Sequence, residues 1–264
     1  MKILFIGDIV GDSGRTMLMR HLDDIKKRHN IDFGIGNGEN VAHGKGITQG
    51  TYDKLVSLGL EAITMGNHFF ARKESNKFFV EATKLVRPYN IHPSAAGVGT
   101  RVFDCKGVKI RVTNMLGRVF MNDITGHNPF DALDEIIESS EEKIHIVDFH
   151  AEATGEKICY VWSFDGKVSA ILGTHTHVQT ADNRVYPKGT AFISDVGMTG
   201  AYNGIIGSKK EEVIYRTRTG LPARFDVEEG VGQLGAVVLD INEETGLANS
   251  IERILITPDG TYGM

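Results

Sequence analysis

Short apolar runs alternate with longer segments of helical period through most of this 264-residue chain. That alternation constrains the fold to the α/β class, because runs of this length fit strands buried on both faces and the intervening segments can form helices that cover them. The first run, residues 3–6, leads through a glycine-containing turn to a helix: Ser13 is placed to cap it, Leu18, Leu22 and Ile25 share a face, and Asn30 closes it. Residues 31–35 form a second strand, and a glycine-rich loop then reaches Thr48, a cap for a helix through Leu55 and Leu58 that stops at Gly59. A third strand covers 62–65, and the runs 101–105 and 108–114, joined at Lys106-Gly107, read as an antiparallel hairpin, so the sheet is mixed. Asn128-Pro129 opens a helix through Leu133, Ile136 and Ile137, and strands follow at 144–149, 168–172 and 191–194. Residues 197–232, rich in glycine and charge, read as a long surface excursion before a last hairpin of 234–241 and 251–256. No repeat or linker divides the chain, which reads as one domain, residues 1–264.

Composition excludes several partners. A formal charge of −5 gives no long-range attraction for duplex nucleic acid. Cys105 and Cys159 lack disulfide or zinc-finger spacing and read as buried thiols in a reducing compartment, with Cys105, Cys159 and Trp162 serving packing. The apolar run at the start is too short for a secretion signal, and no stretch approaches the roughly 18 apolar residues of a membrane span. A cytoplasmic protein without membrane contact is the expectation. The 31 glycines, however, exceed by about a dozen the share of an average chain this long.

Much of that excess lies beside polar residues at the ends of strands. Asp8 follows the first strand, Glu39 and Asn40 the second and Asn67 and His68 the third, while His150 and the pair His175 and His177 close two later ones. In a sheet of mainly parallel strands the carboxyl ends share one edge, where ligands bind. Two carboxylates, two carboxamides and four histidines would meet there, a donor set suited to a borderline-hard metal ion. Singly, each has an ordinary structural reading as a turn, a cap or a satisfied core histidine. Gly173-Thr174-His175-Thr176-His177 is the most specific, because alternate side chains of an extended segment share a face. Of the other histidines, His21, His29, His92, His127 and His145 read as structural or solvated, and His43 as a loop residue beside Glu39-Asn40.

The ordered motifs FIGDIVGDSGR, NGENVAHGKG, AITMGNH, DFHAEAT, GTHTHVQTADNR and ISDVGMTG, spread over nearly the whole chain, resemble those of the bacterial YmdB-like family of calcineurin-like metallophosphoesterases. The resemblance implies a four-layer α-β-β-α sandwich of two mixed sheets flanked by helices, with a dinuclear metal centre at the strand ends. It implies one metal on Asp8, Glu39, Asn40 and His177 and another on Glu39, Asn67, His150 and His175, with Glu39 bridging and His68 as catalytic proton donor. The implied activity is hydrolysis of 2′,3′-cyclic nucleotides by metal-activated hydroxide, with iron the preferred metal, manganese next, and zinc or cobalt also compatible with mixed N/O ligation. Two departures stand out: Val10 occupies a position where most calcineurin-like enzymes carry histidine, and Phe69-Phe70-Ala71 replaces the usual Thr-Trp-Asp after Asn67-His68.

Other readings remain open on sequence grounds. The same ligands would serve a phosphomonoesterase, and a nucleotide-sensing regulator with little turnover would use them for binding alone. An amidohydrolase barrel places its HxH pair early and its aspartate last, the reverse of the order here. A small cyclic nucleotide or other phosphodiester is the expected partner, and a homo-oligomer is compatible with the sequence.

Overall fold

The structure, a computed structural model, describes residues 1–72, 75–121 and 126–262. Its first sheet begins with β1 (Lys2–Ile6), β2 (Asp8–Ile9), β3 (Phe33–Asn37), β4 (Ala62–Thr64) and β5 (Leu85–Val86). The chain then builds a second sheet from β6 (Thr100–Cys105), β7 (Val108–Leu116), β8 (Ile144–His150), β9 (Ala170–Thr174), β10 (Arg184–Val185) and β11 (Ala191–Ile193). It returns to the first with β12 (Met198–Ala201), β13 (Gly232–Ile241), β14 (Ala248–Thr257) and β15 (Gly260–Tyr262). The helices are α1 (Gly11–Arg28), α2 (Gln49–Ser57), α3 (Ser75–Glu81), α4 (Pro129–Glu138), α5 (Thr154–Phe164) and α6 (Lys210–Thr219), with a 3₁₀ turn at Asn67–Ala71.

Strand periodicity explains the layering. In β1, Ile3 and Phe5 belong to the core between the sheets, whereas Leu4 and Ile6 pack with Leu18, Leu22 and Ile25 of α1. In β8, Ile144 and Ile146 face the first sheet, while Val147 and Phe149 meet Leu133 and Ile136 of α4 and Tyr160, Val161 and Phe164 of α5. Each strand is therefore apolar on both faces, and only two back-to-back sheets with helices outside can bury both. The result is the expected four-layer sandwich of two mixed sheets: β1, β3, β4 and β5 run parallel, as do β7, β8, β9 and β11, with antiparallel strands at the margins. Each fully buried Leu, Ile or Phe contributes roughly 1.5–3 kcal/mol.

Three local expectations change. Ser13 does not cap α1: the helix starts at Val10 without a side-chain cap, because backbone pairing of β2 with β12 (Asp8 with Met198, Ile9 with Thr199) carries the chain straight into it. Asn30 does end it, at φ 51°, a left-handed conformation that asparagine tolerates. The stretch 197–232 is not all surface, since β12 is buried and pairs with both β13 and β2. Finally, Cys105 is buried, but Cys159 is exposed and Trp162 is 54% exposed. The cause is α5, whose inward stripe is Lys157, Tyr160, Val161 and Phe164, leaving Cys159 and Trp162 on the outer face. Thr48 and Asn128 cap as expected, Thr48 in a reciprocal capping box with Thr51 and Asn128 accepting the Phe130 N–H at 3.0 Å.

His145 is structural, as expected: it is buried in β8 with Nε2 2.8 Å from Thr113 Oγ1, and burial, aided by the charge of Arg111, pushes its pKa down to about 3. Below the ordinary value near 6.5 the unfolded chain binds a proton that the native chain refuses, so stability falls as pH drops from 6.5 towards 3. Denaturant unfolding of wild type and His145→Gln at pH 7 and pH 5 should show the wild type losing about 2 kcal/mol more than the variant over this interval. Parallel pH dependence in the two proteins would contradict this account.

Candidate metal centre

The carboxyl ends of β1, β3, β4, β8 and β9 lie on one edge, and all eight residues singled out in the sequence gather there. Asp8 sits in β2, Glu39 and Asn40 follow β3, Asn67 and His68 open the 3₁₀ turn after β4, His150 ends β8, and His175 and His177 follow β9. His150 is the hub. Its Nε2 lies 3.2 Å from Glu39 Oε1, 2.9 Å from Asn67 Oδ1 and 3.0 Å from His175 Nδ1. A second group forms around Asn40, whose Nδ2 lies 3.1 Å from Glu39 Oε1 and 3.1 Å from His177 Nε2. Glu39 Oε1 is common to both groups, and Asp8 attaches to the first, its Oδ2 accepting the His175 backbone N–H at 3.1 Å. His68 stands at the opening, its side chain 30% exposed, with Nδ1 2.8 Å from Asn40 Oδ1 and 3.4 Å from Glu39 Oε1.

His175 and His177 are not presented by an extended segment. Their φ angles are 102° and 66°, a left-handed region that costs about 1–3 kcal/mol per residue unless its surroundings enforce it. The enforcement comes from two buried residues that sequence reading passed over. Lys157 Nζ donates to the Thr174 carbonyl at 2.9 Å and pairs with Asp195 Oδ2 at 3.2 Å. Asp195 Oδ2 in turn accepts the Thr176 N–H at 2.9 Å and hydroxyl at 2.8 Å. Lys157 was hidden because a lysine in an apolar helical stripe reads as surface; Asp195 lies within the ISDVGMTG motif, which was its only signal.

Asp148 does for His150 what Asp195 does for the following turn. Buried between the sheets, it accepts from Asn37 Nδ2 at 2.9 Å, Thr64 Oγ1 at 2.5 Å and Thr174 Oγ1 at 2.7 Å. Thr174 Oγ1 lies 2.8 Å from His150 Nδ1. Because the threonine proton goes to Asp148, this oxygen is left to accept from Nδ1–H, which fixes the ring's orientation and directs Nε2 at the cluster. On the far side, His175 Nε2 lies 3.0 Å from Glu152 Oε2, a contact that leaves Nδ1 facing inward.

The electrostatics describe a site short of positive charge. Burial raises the Asp8 pKa, and Asp8 Oδ1 is buried without a hydrogen-bond partner, with His150 Nδ1 3.9 Å away. Burial also opposes the Glu39 charge, yet His150 and His68 hold that carboxyl well below its usual range. Burial disfavours the His150 cation, but Glu39 outweighs it and lifts the ring to about 9. His175 is pushed down to about 3 by burial and by charged His150. Donor atoms of Glu39, His150 and His175 lie within 4.8 Å of one another. An orphaned carboxylate oxygen beside converging N and O donors fits a multivalent cation better than the lone proton His150 otherwise carries.

Residues 4–254 match the YmdB-like protein family. The chain belongs to that family. It is 48% identical over 264 residues to a Bacillus subtilis (strain 168) protein named 2′,3′-cyclic-nucleotide 2′-phosphodiesterase, covering 99% of each chain. It is 38% identical to the crystal structure of a Mycoplasma pneumoniae protein called a novel phosphatase (TM-score 0.93, covering 97% of this chain and 93% of that one). A hypothetical protein from Thermus thermophilus is 38% identical, with TM-score 0.90 and coverage of 97% and 98%. In this YmdB-like chain the departure after Asn67-His68 has a packing role: Phe69 is buried and stacks on Phe79 at 4.6 Å, whereas Phe70 is 52% exposed.

Two glycines at the site serve close approach rather than an unusual turn. A Cβ on Gly66 would collide with Glu39 Oε2 and stand 2.6 Å from His150 Nε2, and one on Gly173 would collide with the Ser194 carbonyl. Gly66→Ala should therefore push Glu39 and His150 apart while leaving the sheets folded. The expected outcome is a near-native thermal midpoint with metal uptake, followed by calorimetry, weakened at least about 10-fold, a loss in the range seen when ligand geometry is disturbed. Unchanged metal uptake would contradict this packing argument.

Proposed function

We propose that this single-domain chain is a metal-dependent phosphodiesterase that opens 2′,3′-cyclic nucleotides to nucleoside monophosphates in the cytoplasm. The observation that carries the reading is the buried, unpartnered Asp8 Oδ1 within a cluster of seven N and O donor residues, in a chain close in sequence to a named cyclic-nucleotide phosphodiesterase. Asp8, Glu39, Asn40 and His177 would hold one metal ion and Glu39, Asn67, His150 and His175 a second, with Glu39 between them. Iron is the first choice and manganese the next, since mixed imidazole, carboxylate and carboxamide ligation suits either. Such a pair supplies Lewis-acid polarisation of the phosphoryl oxygens and lowers the pKa of coordinated water.

The protein's own share is positioning and proton delivery. Asp8 and Glu39 are the only carboxylates in the proposed donor set, so two divalent ions leave the edge net positive and able to draw a phosphodiester despite the chain's overall charge of −5. His68 Nδ1 is engaged by Asn40 and Glu39, which orient the ring, its edge is partly exposed at the opening, and the role proposed for it is that of the imidazolium. In that state His68 gives a proton to the departing ribose oxygen as the P–O bond breaks, sparing an alkoxide leaving group, while the water oxygen forms the new P–O bond. The backbone N–H of His68 donates to Glu39 Oε2 at 3.2 Å, tying acid and ligand into one unit.

The test is a panel of 2′,3′-cyclic nucleotides, linear phosphodiesters and nucleoside monophosphates, assayed with metal-replete wild type and His68→Ala. The cyclic substrates should turn over fastest, and the variant should keep its metal while losing about 10² to 10⁴ in kcat. Faster release of phosphate from monophosphates would replace this reading with a phosphomonoesterase, and tight nucleotide binding with negligible turnover would replace it with a sensor.

A further inference from the structure

Left-handed backbone at residues other than glycine has an evident local use at several places in this chain. Asn30 ends α1, Lys106 turns the β6–β7 hairpin, and His175 and His177 are aimed at the metal-centre cluster. Phe120, at φ 60°, has no such use. Its ring is 85% exposed, the most of any large apolar side chain among the described residues, so it packs no core. Phe70, two positions after His68, rests its ring edge-on against Phe69 at 4.8 Å and is in part occupied there.

The place of the Phe120 loop is fixed at both ends. β7 runs parallel to β8 with Leu116 in register with His150, and the Gly117 N–H donates to the His150 carbonyl at 3.0 Å. Glu156, in the first turn of α5, accepts the Arg118 N–H at 2.9 Å and the Val119 N–H at 3.2 Å. The Met121 N–H donates to the Arg118 carbonyl at 3.3 Å, closing a turn with Phe120 in its third position, and Met121 itself is buried in the apolar cluster that contains Phe69. When the third place of a turn is left-handed it ordinarily takes glycine or asparagine. Here it holds a bulky ring out in water, on a loop that starts at a residue of the metal centre. Strain that the surroundings enforce in this way clusters at ligand clamps and active sites.

We propose that Phe120 is the platform on which the base of a bound nucleotide stacks while its phosphate occupies the metal centre; the choice of ligand rests on the nucleotide-hydrolysing reading of that centre. At most about 11 Å of chain separates Gly117 from Phe120, a reach comparable with the length of one nucleotide. Every base offers a π-face, so one aromatic ring serves purines and pyrimidines alike. A ring whose backbone is already held loses little freedom when a planar partner settles on it, so the strain carried by the free protein becomes affinity in the complex. The platform selects for the presence of a base rather than among bases.

The test uses the metal-replete full chain as wild type, Phe120→Gly and Phe120→Tyr. Calorimetry measures binding of adenosine 3′-monophosphate and of inorganic phosphate, and kinetics give kcat and KM for adenosine 2′,3′-cyclic phosphate. Phe120→Gly should weaken the nucleotide by about 5- to 150-fold, the range for loss of one stacked base. It should leave inorganic phosphate within about twofold of wild type, and raise KM while kcat changes little. Phe120→Tyr keeps the π-face and should bind the nucleotide within about threefold of wild type. Because the ring buries nothing and glycine is at ease with positive φ, the thermal midpoint of Phe120→Gly should be no lower than that of wild type. Equal nucleotide binding by wild type and Phe120→Gly, an equal loss of phosphate binding, or a lowered midpoint would each overturn the platform. The expected binding pattern in a protein that fails to open the cyclic phosphate would uphold the platform and overturn the proposed activity instead.

Discussion

Asp8 and Glu39 are two carboxylates taken out of water, 3.9 Å and 3.2 Å from nitrogens of the same His150 ring, and the rest of the structure answers that cost. An uncompensated buried charge costs several kcal/mol. The protein alone meets it incompletely: His150 is held charged against Glu39, Asp8 is pushed towards its neutral form, and one Asp8 oxygen has no hydrogen-bond partner. On the proposed function a cation completes the cluster. The fold would then give up stability in the empty state to gain affinity for metal, a trade met often at active sites.

The sandwich makes this affordable by dividing the task. Hydrophobic layers on both faces of each sheet supply the stability, and the parallel strands deliver their carboxyl ends to one edge. A second tier of buried polar residues sets the angles. Asp148 links Asn37 and Thr64 of the first sheet to Thr174 of the second and, through Thr174, orients His150. The Lys157–Asp195 pair holds the left-handed turn that aims His175 and His177. Neither Asp148 nor Lys157–Asp195 stands in the proposed ligand set, yet the positions of three of its histidines depend on them. β12 adds the last constraint by fixing the backbone of Asp8 through Met198.

The sequence was legible where a residue's chemistry and its local period agree. Apolar runs located most of the principal strands, Thr48 and Asn128 announced their helices, and polar residues at strand ends marked the edge where all eight candidate residues meet. It was illegible where tertiary contacts override local pattern. Lys157 in the stripe of α5 disguised that helix, because its burial depends on Asp195, far along the chain. Thr174 to His177 reads as extended from its alternation, but bonds from α5 and from Asp195 bend it. β12 carries two small residues and a threonine, and it becomes a strand only because β13 and β2 lie on either side of it. The glycine excess pointed to the correct place: Gly66 and Gly173 are required by neighbours that leave no room for a Cβ, and Gly11, Gly44 and Gly46 by left-handed backbone.

The central claim is that the Asp8 and Glu39 carboxylates are paired with two cations, with Glu39 between them. Anomalous diffraction from crystals of the chain loaded with manganese addresses it most directly. The account predicts two peaks per chain about 3.5–4 Å apart, one bounded by Asp8, Asn40 and His177, the other by Asn67, His150 and His175, with the Glu39 carboxylate bridging both. A single peak, or two peaks of which neither contacts Glu39, would contradict it.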